Sequence, residues 1–230
     1  SLAMLYIKTF IGIVFQVSLL ALFLLLPAPT WYWHDAIFWS GFYFLINVIT
    51  SFWICAYYPA SMEARLESNF KRQPKKDKMA TSIIILAIAL ALNFITVDVF
   101  YLNIFEAPAP MSKYLGLVIF VIGYSIILFT MIQNEFAQSV VNIQDERNQM
   151  LVDTGLYSYI RHPMYTGFML FFAGLGLWLG SIFMATIGTI ILMLAFIPRI
   201  LIEEETLSRE LDGYEAYMQR VQYRIIPRVY

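Results

Sequence analysis

Disulfide bonding and sulfur–nitrogen metal chemistry have almost no material in this chain. Its 230 residues include one cysteine, Cys55, and two histidines, His34 and His162. A lone cysteine makes no internal disulfide, and three such side chains fall short of the four ligands of a structural zinc site. Charge is scarce too: 13% of residues are charged, against 60% hydrophobic. Soluble domains carry about a quarter charged residues, so this is the composition of an integral membrane protein. The six cations between Arg65 and Lys78 fall in one short stretch between apolar runs. That argues for a solvated loop touching anionic lipid and against a nucleic-acid binder.

What is abundant is long apolar sequence. Met4 to Leu26 is long enough to cross a hydrocarbon core of about 30 Å, and too long for a cleaved leader. Pro27 and Pro29 end it, and Trp31, Tyr32 and Trp33 form an interfacial belt, with His34 and Asp35 in the same loop. Ala36–Tyr58, Met79–Leu102 and Ser112–Gln133 are the second, third and fourth spans. Asn47 is expected to bond a neighbouring helix, and Asp98 to lie at an interface. Residues 134–160 are polar but interleaved with Val, Ile, Leu and Tyr, which argues against disorder.

Thr166 to Pro198 carries no charge. As one helix it would extend about 50 Å, far beyond the hydrocarbon thickness. Gly174, Gly176, Gly180 and Ser181 near its middle predict a tight helical hairpin with legs over Met164–Leu179 and Ile182–Ile202, the glycines serving close packing. In the charged tail, Gly213 is expected to end one short helix and Pro227 a second. The prediction is an all-α, polytopic membrane protein of about six transmembrane helices. It forms a single domain, with four spans over 1–133 and a second half over 134–230. Six spans put 14 of the 15 lysines and arginines on one side, leaving only Lys113 opposite. By the positive-inside rule the crowded side is cytoplasmic.

The segment 151–167, LVDTGLYSYIRHPMYTG, lies just before the hairpin. Proline suits the first turn of a helix, and the residue before it is pushed toward extended geometry. Arg161 and His162 therefore sit at a helix mouth, where free N–H groups and the helix dipole attract anions. Two readings are open: a carboxylate or phosphate site, or an arginine snorkelling to lipid phosphates. The hairpin brings this cationic end beside Arg199, Glu203 and Glu204, a combination that suits a zwitterion. The competing reading is an i,i+4 ion pair between Arg199 and Glu203.

GLYSYIRHPMYTG, then RILIEE, then GYEAY and YRIIP resemble the membrane methyltransferases related to isoprenylcysteine carboxyl methyltransferase, a superfamily that also resembles the phospholipid N-methyltransferases. Asn134, Phe136 and Ser139 fit the lead-in, and the tail is closer to small bacterial relatives. The resemblance covers about Asn134 to Tyr230. It implies S-adenosylmethionine as cofactor, bound without a Rossmann domain, and a lipophilic or lipid-anchored acceptor arriving from the bilayer. It implies Tyr157, His162, Tyr165, Gly167, Glu203 and Glu204 as cofactor-binding residues, and no metal. His162 would face the helix mouth and meet the donor carboxylate. Arg161 and Arg199 are the candidates for orienting the acceptor. The implied setting is a bacterial inner membrane with the site facing the cytoplasm. RHPMY and QYRIIPRVY also resemble sterol reductases, so a nicotinamide-dependent membrane reductase is the alternative, with a non-catalytic membrane scaffold as a third reading.

Overall fold

The computed structural model describes residues 1–67, 75–134 and 150–230, and they are helical with no strand among them. In chain order the helices are α1 (Leu2–Leu25), α2 (His34–Tyr57), α3 (Pro59–Leu66), α4 (Lys75–Val97), α5 (Pro110–Gln133), α6 (Pro163–Leu179), α7 (Thr189–Glu210) and α8 (Tyr214–Arg220). Wide π turns extend α4 over Asp98–Leu102 and precede α7 over Met184–Gly188. Five helices are long and apolar enough to cross a membrane, and α6, at 17 residues, is a shorter apolar helix. The chain is a multi-pass membrane protein, and the six apolar helices among the described residues match the expected spans.

Lipid offers no hydrophobic drive for helices to associate, so small residues and hydrogen bonds must do it. The α5–α6 seam shows the first device. Gly116 and Gly123 on α5, and Gly167 and Gly174 on α6, each stand seven residues apart and so share a face. A Cβ on Gly174 would lie 2.3 Å from the Phe120 backbone nitrogen, and one on Gly123 2.4 Å from that of Phe171. The seam therefore runs backbone to backbone. The glycines do serve close packing, but Gly174 packs against α5 and only Gly176 and Gly180 belong to the hairpin. A Cβ on Gly176 would meet the Ala185 nitrogen at 3.1 Å, and Gly180 holds φ +107° as the α6 C-cap. Beyond this turn α7 leaves α6 and runs beside α4.

Hydrogen bonds are the second device. Asn93 Nδ2 and Thr96 Oγ1 donate to the Phe23 and Leu24 carbonyls, both at 2.6 Å, fastening α4 to the far end of α1. Asn47 bonds other helices as expected, donating to Gln16 on α1 and accepting from Tyr124 on α5. Asp98 stands at the end of the α4 span and is 3% exposed. It accepts from Ser181 Oγ at 2.6 Å and Ile104 N at 2.8 Å, which pins the hairpin turn to the end of α4.

The charged stretch after α2 also differs from a simple solvated loop. Pro59 starts the short helix α3, and Lys75 already belongs to α4. Arg65 and Asp77 turn inward, while residues 68–74 lie outside the described residues. In the tail, α7 runs unbroken to Glu210. Gly213, at φ +84°, precedes α8 rather than ending a helix, and Pro227 sits in the terminal turns. His34 likewise opens α2 instead of standing in the loop.

Overpacking a close-packed site costs about 1–3 kcal/mol. Gly123→Ala and Gly174→Ala are expected to lower the melting temperature in detergent. Gly12→Ala, whose Cβ would meet nothing within 4 Å, should leave it unchanged or raise it slightly. Equal behaviour of all three variants would contradict a backbone-contact seam.

Candidate functional site

His162 caps α6 with φ −128°, and Pro163 supplies the first helical residue, as the local sequence dictates. The extended residues before the cap pair with the tail: Arg161 N donates to Tyr223 O at 3.0 Å and His162 N to Arg224 O at 2.8 Å. Thr166 Oγ1 adds a 2.7 Å bond to Ile225 O. The C-terminal segment thus folds back across the mouth of α6.

The anion at this mouth is the chain's own. Glu204 accepts from Arg161 Nε at 2.9 Å and Nη2 at 3.3 Å, from His162 Nε2 at 2.7 Å, and from Arg224 Nε at 2.9 Å. Arg161 Nη1 also donates to the Met218 and Val221 carbonyls at 3.2 and 3.1 Å. Arg161, His162 and Glu204 are 7%, 4% and 5% exposed. The sequence expectation of a free His162 ring is therefore corrected: the ring is buried against Glu204.

Glu203, one residue earlier, is rotated by about 100° and faces elsewhere. It lines a cavity of about 710 Å³ and accepts from Tyr165 OH at 3.1 Å. The near end of this cavity, on the charged face of the bundle, gathers Arg65, Arg199, Glu203, Tyr157 and Tyr165. Arg199 is buried, its Nε has no hydrogen-bond partner, and Asp77 Oδ1 stands 3.8 Å from it. Arg199 thus meets α4 rather than forming an i,i+4 pair with Glu203. Burial, and then the Arg199 charge, push the Arg65 guanidinium below its ordinary range. Burial raises the Tyr157 hydroxyl, so it is a neutral group, accepting from Asn134 Nδ2 at 3.2 Å. The far end is apolar, with Leu20, Leu92, Leu175 and Leu192.

The sequence-predicted residues therefore divide. Tyr157, Tyr165, Arg199 and Glu203 meet at the cavity's polar end. Arg161 and His162 touch its wall while bonded to Glu204, and Glu204 does not line it. Gly167 sits in the α5–α6 seam, where a Cβ would lie 2.7 Å from Ile127 Cγ1, and not at the cavity. Phe136 and Ser139 lie outside the described residues. Arg65 and Asp77 were missed because charged residues between spans read as solvated loop; Pro59, a helix-starting residue, was the available signal. No three or more His, Cys, Asp or Glu side chains cluster as metal ligands among the described residues.

A buried charge left without its partner costs about 3–5 kcal/mol. Glu204→Gln is expected to lower thermal stability on that scale, because Arg161 and Arg224 lose their common carboxylate. Glu203→Gln removes one bond and should cost about 1 kcal/mol. Thermal unfolding in detergent measures both, and equal losses would contradict the different roles.

Residues 111–212 match the family model described as phospholipid methyltransferase. The chain is also 32% identical over 83 residues to a protein-S-isoprenylcysteine O-methyltransferase of Schizosaccharomyces pombe. That match covers 36% of this chain and 35% of the yeast protein, so the chain spans about a third of that relative's length. The segment matched by the family model contains the α6 mouth, Arg199 and both glutamates.

Proposed function

We propose that this chain, which belongs to the phospholipid methyltransferase family through residues 111–212, is a membrane methyltransferase that uses S-adenosylmethionine and acts on a lipophilic acceptor. The observation that carries the reading is one cavity with two chemistries. Its near end offers Arg65, Arg199 and Glu203 to a zwitterion, and its far end offers only hydrocarbon to an acceptor's tail. The unbonded Nε of buried Arg199 is a donor that a carboxylate would satisfy. Glu203 fits the donor's ammonium, and the Tyr157 and Tyr165 rings fit its cationic sulfur. When bound, S-adenosylmethionine supplies an electrophilic methyl group.

The chain's own contribution is alignment, which can supply about 7–11 kcal/mol of a barrier. Two guanidinium groups match two carboxylates, the donor's and that of an acidic lipophilic acceptor. Arg199 and Arg65 hold these anions while Glu203 fixes the other end of the donor. Arg161, His162 and Glu204 act as positioning residues, fixing the phase of α7 so that Glu203 faces inward. The chain works as one membrane-embedded domain, since both halves line the cavity. The weight of lysine and arginine on the site's side supports a cytoplasmic orientation, and the tail's resemblance to small bacterial relatives supports a bacterial inner membrane as the setting.

Calorimetric titration of the detergent-purified protein with S-adenosylmethionine tests the reading. Saturable binding is expected, and Glu203→Ala should weaken it roughly 10- to 150-fold, the worth of a charge-assisted bond. No binding by the wild type, or binding of a reduced nicotinamide cofactor instead, would overturn it. Transfer of labelled methyl into a lipid extract of the native host then identifies the acceptor.

A further inference from the structure

Midway along the cavity one wall is polar although it lies at membrane depth. Gln16 stands about 21 Å along α1 from Leu2, near the middle of an apolar 24-residue span. It is exposed on the cavity side, next to Gly12, whose missing side chain leaves open space. Tyr43 on α2 lines the same stretch and meets the Gln16 side chain. A polar group in a span normally faces a partner helix or a cavity, since hydrocarbon cannot satisfy it.

Counting donors and acceptors shows what this wall has to spare. Asn47 Oδ1 accepts from Ser51 Oγ at 2.9 Å and Tyr124 OH at 3.3 Å, and its Nδ2 donates to Gln16 Oε1 at 3.4 Å. Thr50 and Tyr124 share a 2.6 Å bond. These bonds tie α2 to α1 and α5, and they account for Asn47, Ser51, Thr50 and Tyr124 as structural glue. Gln16 keeps two N–H groups, of which the Tyr43 hydroxyl takes at most one, and Tyr43 keeps its own O–H. What remains toward the cavity includes two donors, one N–H of Gln16 and the Tyr43 O–H.

We propose that Gln16 and Tyr43 form a second polar subsite that donates hydrogen bonds to an oxygen carried partway along the apolar body of the acceptor. This rests on the reading that the cavity holds a lipophilic acceptor, and it narrows the class. The acceptor is an amphiphile whose hydrocarbon body is interrupted by a carbonyl or hydroxyl oxygen, not an unbroken hydrocarbon chain. Donor binding makes no use of this wall, because the donor's charged groups are matched at the other end.

Stearic acid and its 8-, 10- and 12-hydroxy derivatives share a head and differ only in one mid-chain oxygen. Competition of each against a fluorescent fatty acid on the purified full-length chain reads the subsite. At least one hydroxy acid should bind roughly 2- to 12-fold tighter than stearic acid, the range of one hydrogen bond. Near-isosteric Gln16→Met and conservative Tyr43→Phe should each reduce that preference, with stearic acid itself unaffected. Absence of any preference in the wild type, its survival in both variants, or failure of all the acids to bind would overturn the proposal. Donor titrations on the same samples separate the two ideas. Intact donor binding without chain discrimination sinks the subsite alone, and discrimination without donor binding sinks the methyltransferase reading alone.

Discussion

The arrangement depends first on one buried carboxylate. Glu204 takes hydrogen bonds from Arg161, His162 and Arg224, which come from the mouth of α6 and from the tail. Burying such charges costs several kcal/mol per ion, and only good geometry with further hydrogen bonds offsets it. Here the Met218 and Val221 carbonyls accept from Nη1 of the Arg161 guanidinium. The cluster sets which face α7 presents, because a helix held at one residue is fixed in phase at the next. Glu203 faces the cavity because Glu204 is held on another side. The same bonds draw the tail over the α6 mouth, where Tyr157, Tyr214, Tyr217 and Val221 pack into a small apolar cluster. Structural stability and the shape of the polar site thus rest on one interaction.

A second constraint decides why there is a cavity at all. α6 lies against α5 backbone to backbone at the glycines, and it meets α7 chiefly near its mouth, where Tyr165 and Phe168 pack on Phe196. The hairpin turn is tight, fixed by Gly180 and by Ser181 bonded to Asp98, yet the legs separate beyond it. α7 is held instead by α4, and α4 by the far end of α1. A space lined by all six apolar helices remains at membrane depth. Its volume follows from which pairs are locked by glycine contacts and which by hydrogen bonds at their ends.

Much of this was legible in the sequence, for identifiable reasons. Apolar runs longer than 20 residues announce spans, and an uncharged stretch too long for one helix announces a hairpin. Once the hairpin is granted, Arg161 and His162 must approach Glu203 and Glu204. Which glutamate faces the cavity was not legible, since it depends on Arg224, far along the chain and brought in by the tail. The helix mouth was rightly read as attracting an anion, but local sequence does not say that the chain supplies that anion itself. Arg65 and Asp77 were hidden for the opposite reason. Inward-facing charges between two spans carry the same composition as a solvated loop, and only the packing of α3 and α4 distinguishes them.

The division of labour along the chain follows from where the cavity walls originate. The family match runs over residues 111–212 and so includes α5 from its second residue, α6 and all of α7. The cavity's polar end draws Arg199 and Glu203 from that segment, and Arg65 from before it. Its deeper walls join Gln16, Leu20, Tyr43 and Leu92 of α1, α2 and α4 to Leu175 and Leu192 of α6 and α7, so the preceding spans supply much of the surface there. On the proposed reading the matched half holds the methyl donor, a molecule common to many reactions, and can keep one set of groups. The preceding spans meet the acceptor's body, which is what distinguishes one reaction from another. A family match over the donor-facing half is then what a common chemistry with separate acceptors would produce. It also explains why a short match to a prenylcysteine enzyme leaves the acceptor to be read from α1 and α2.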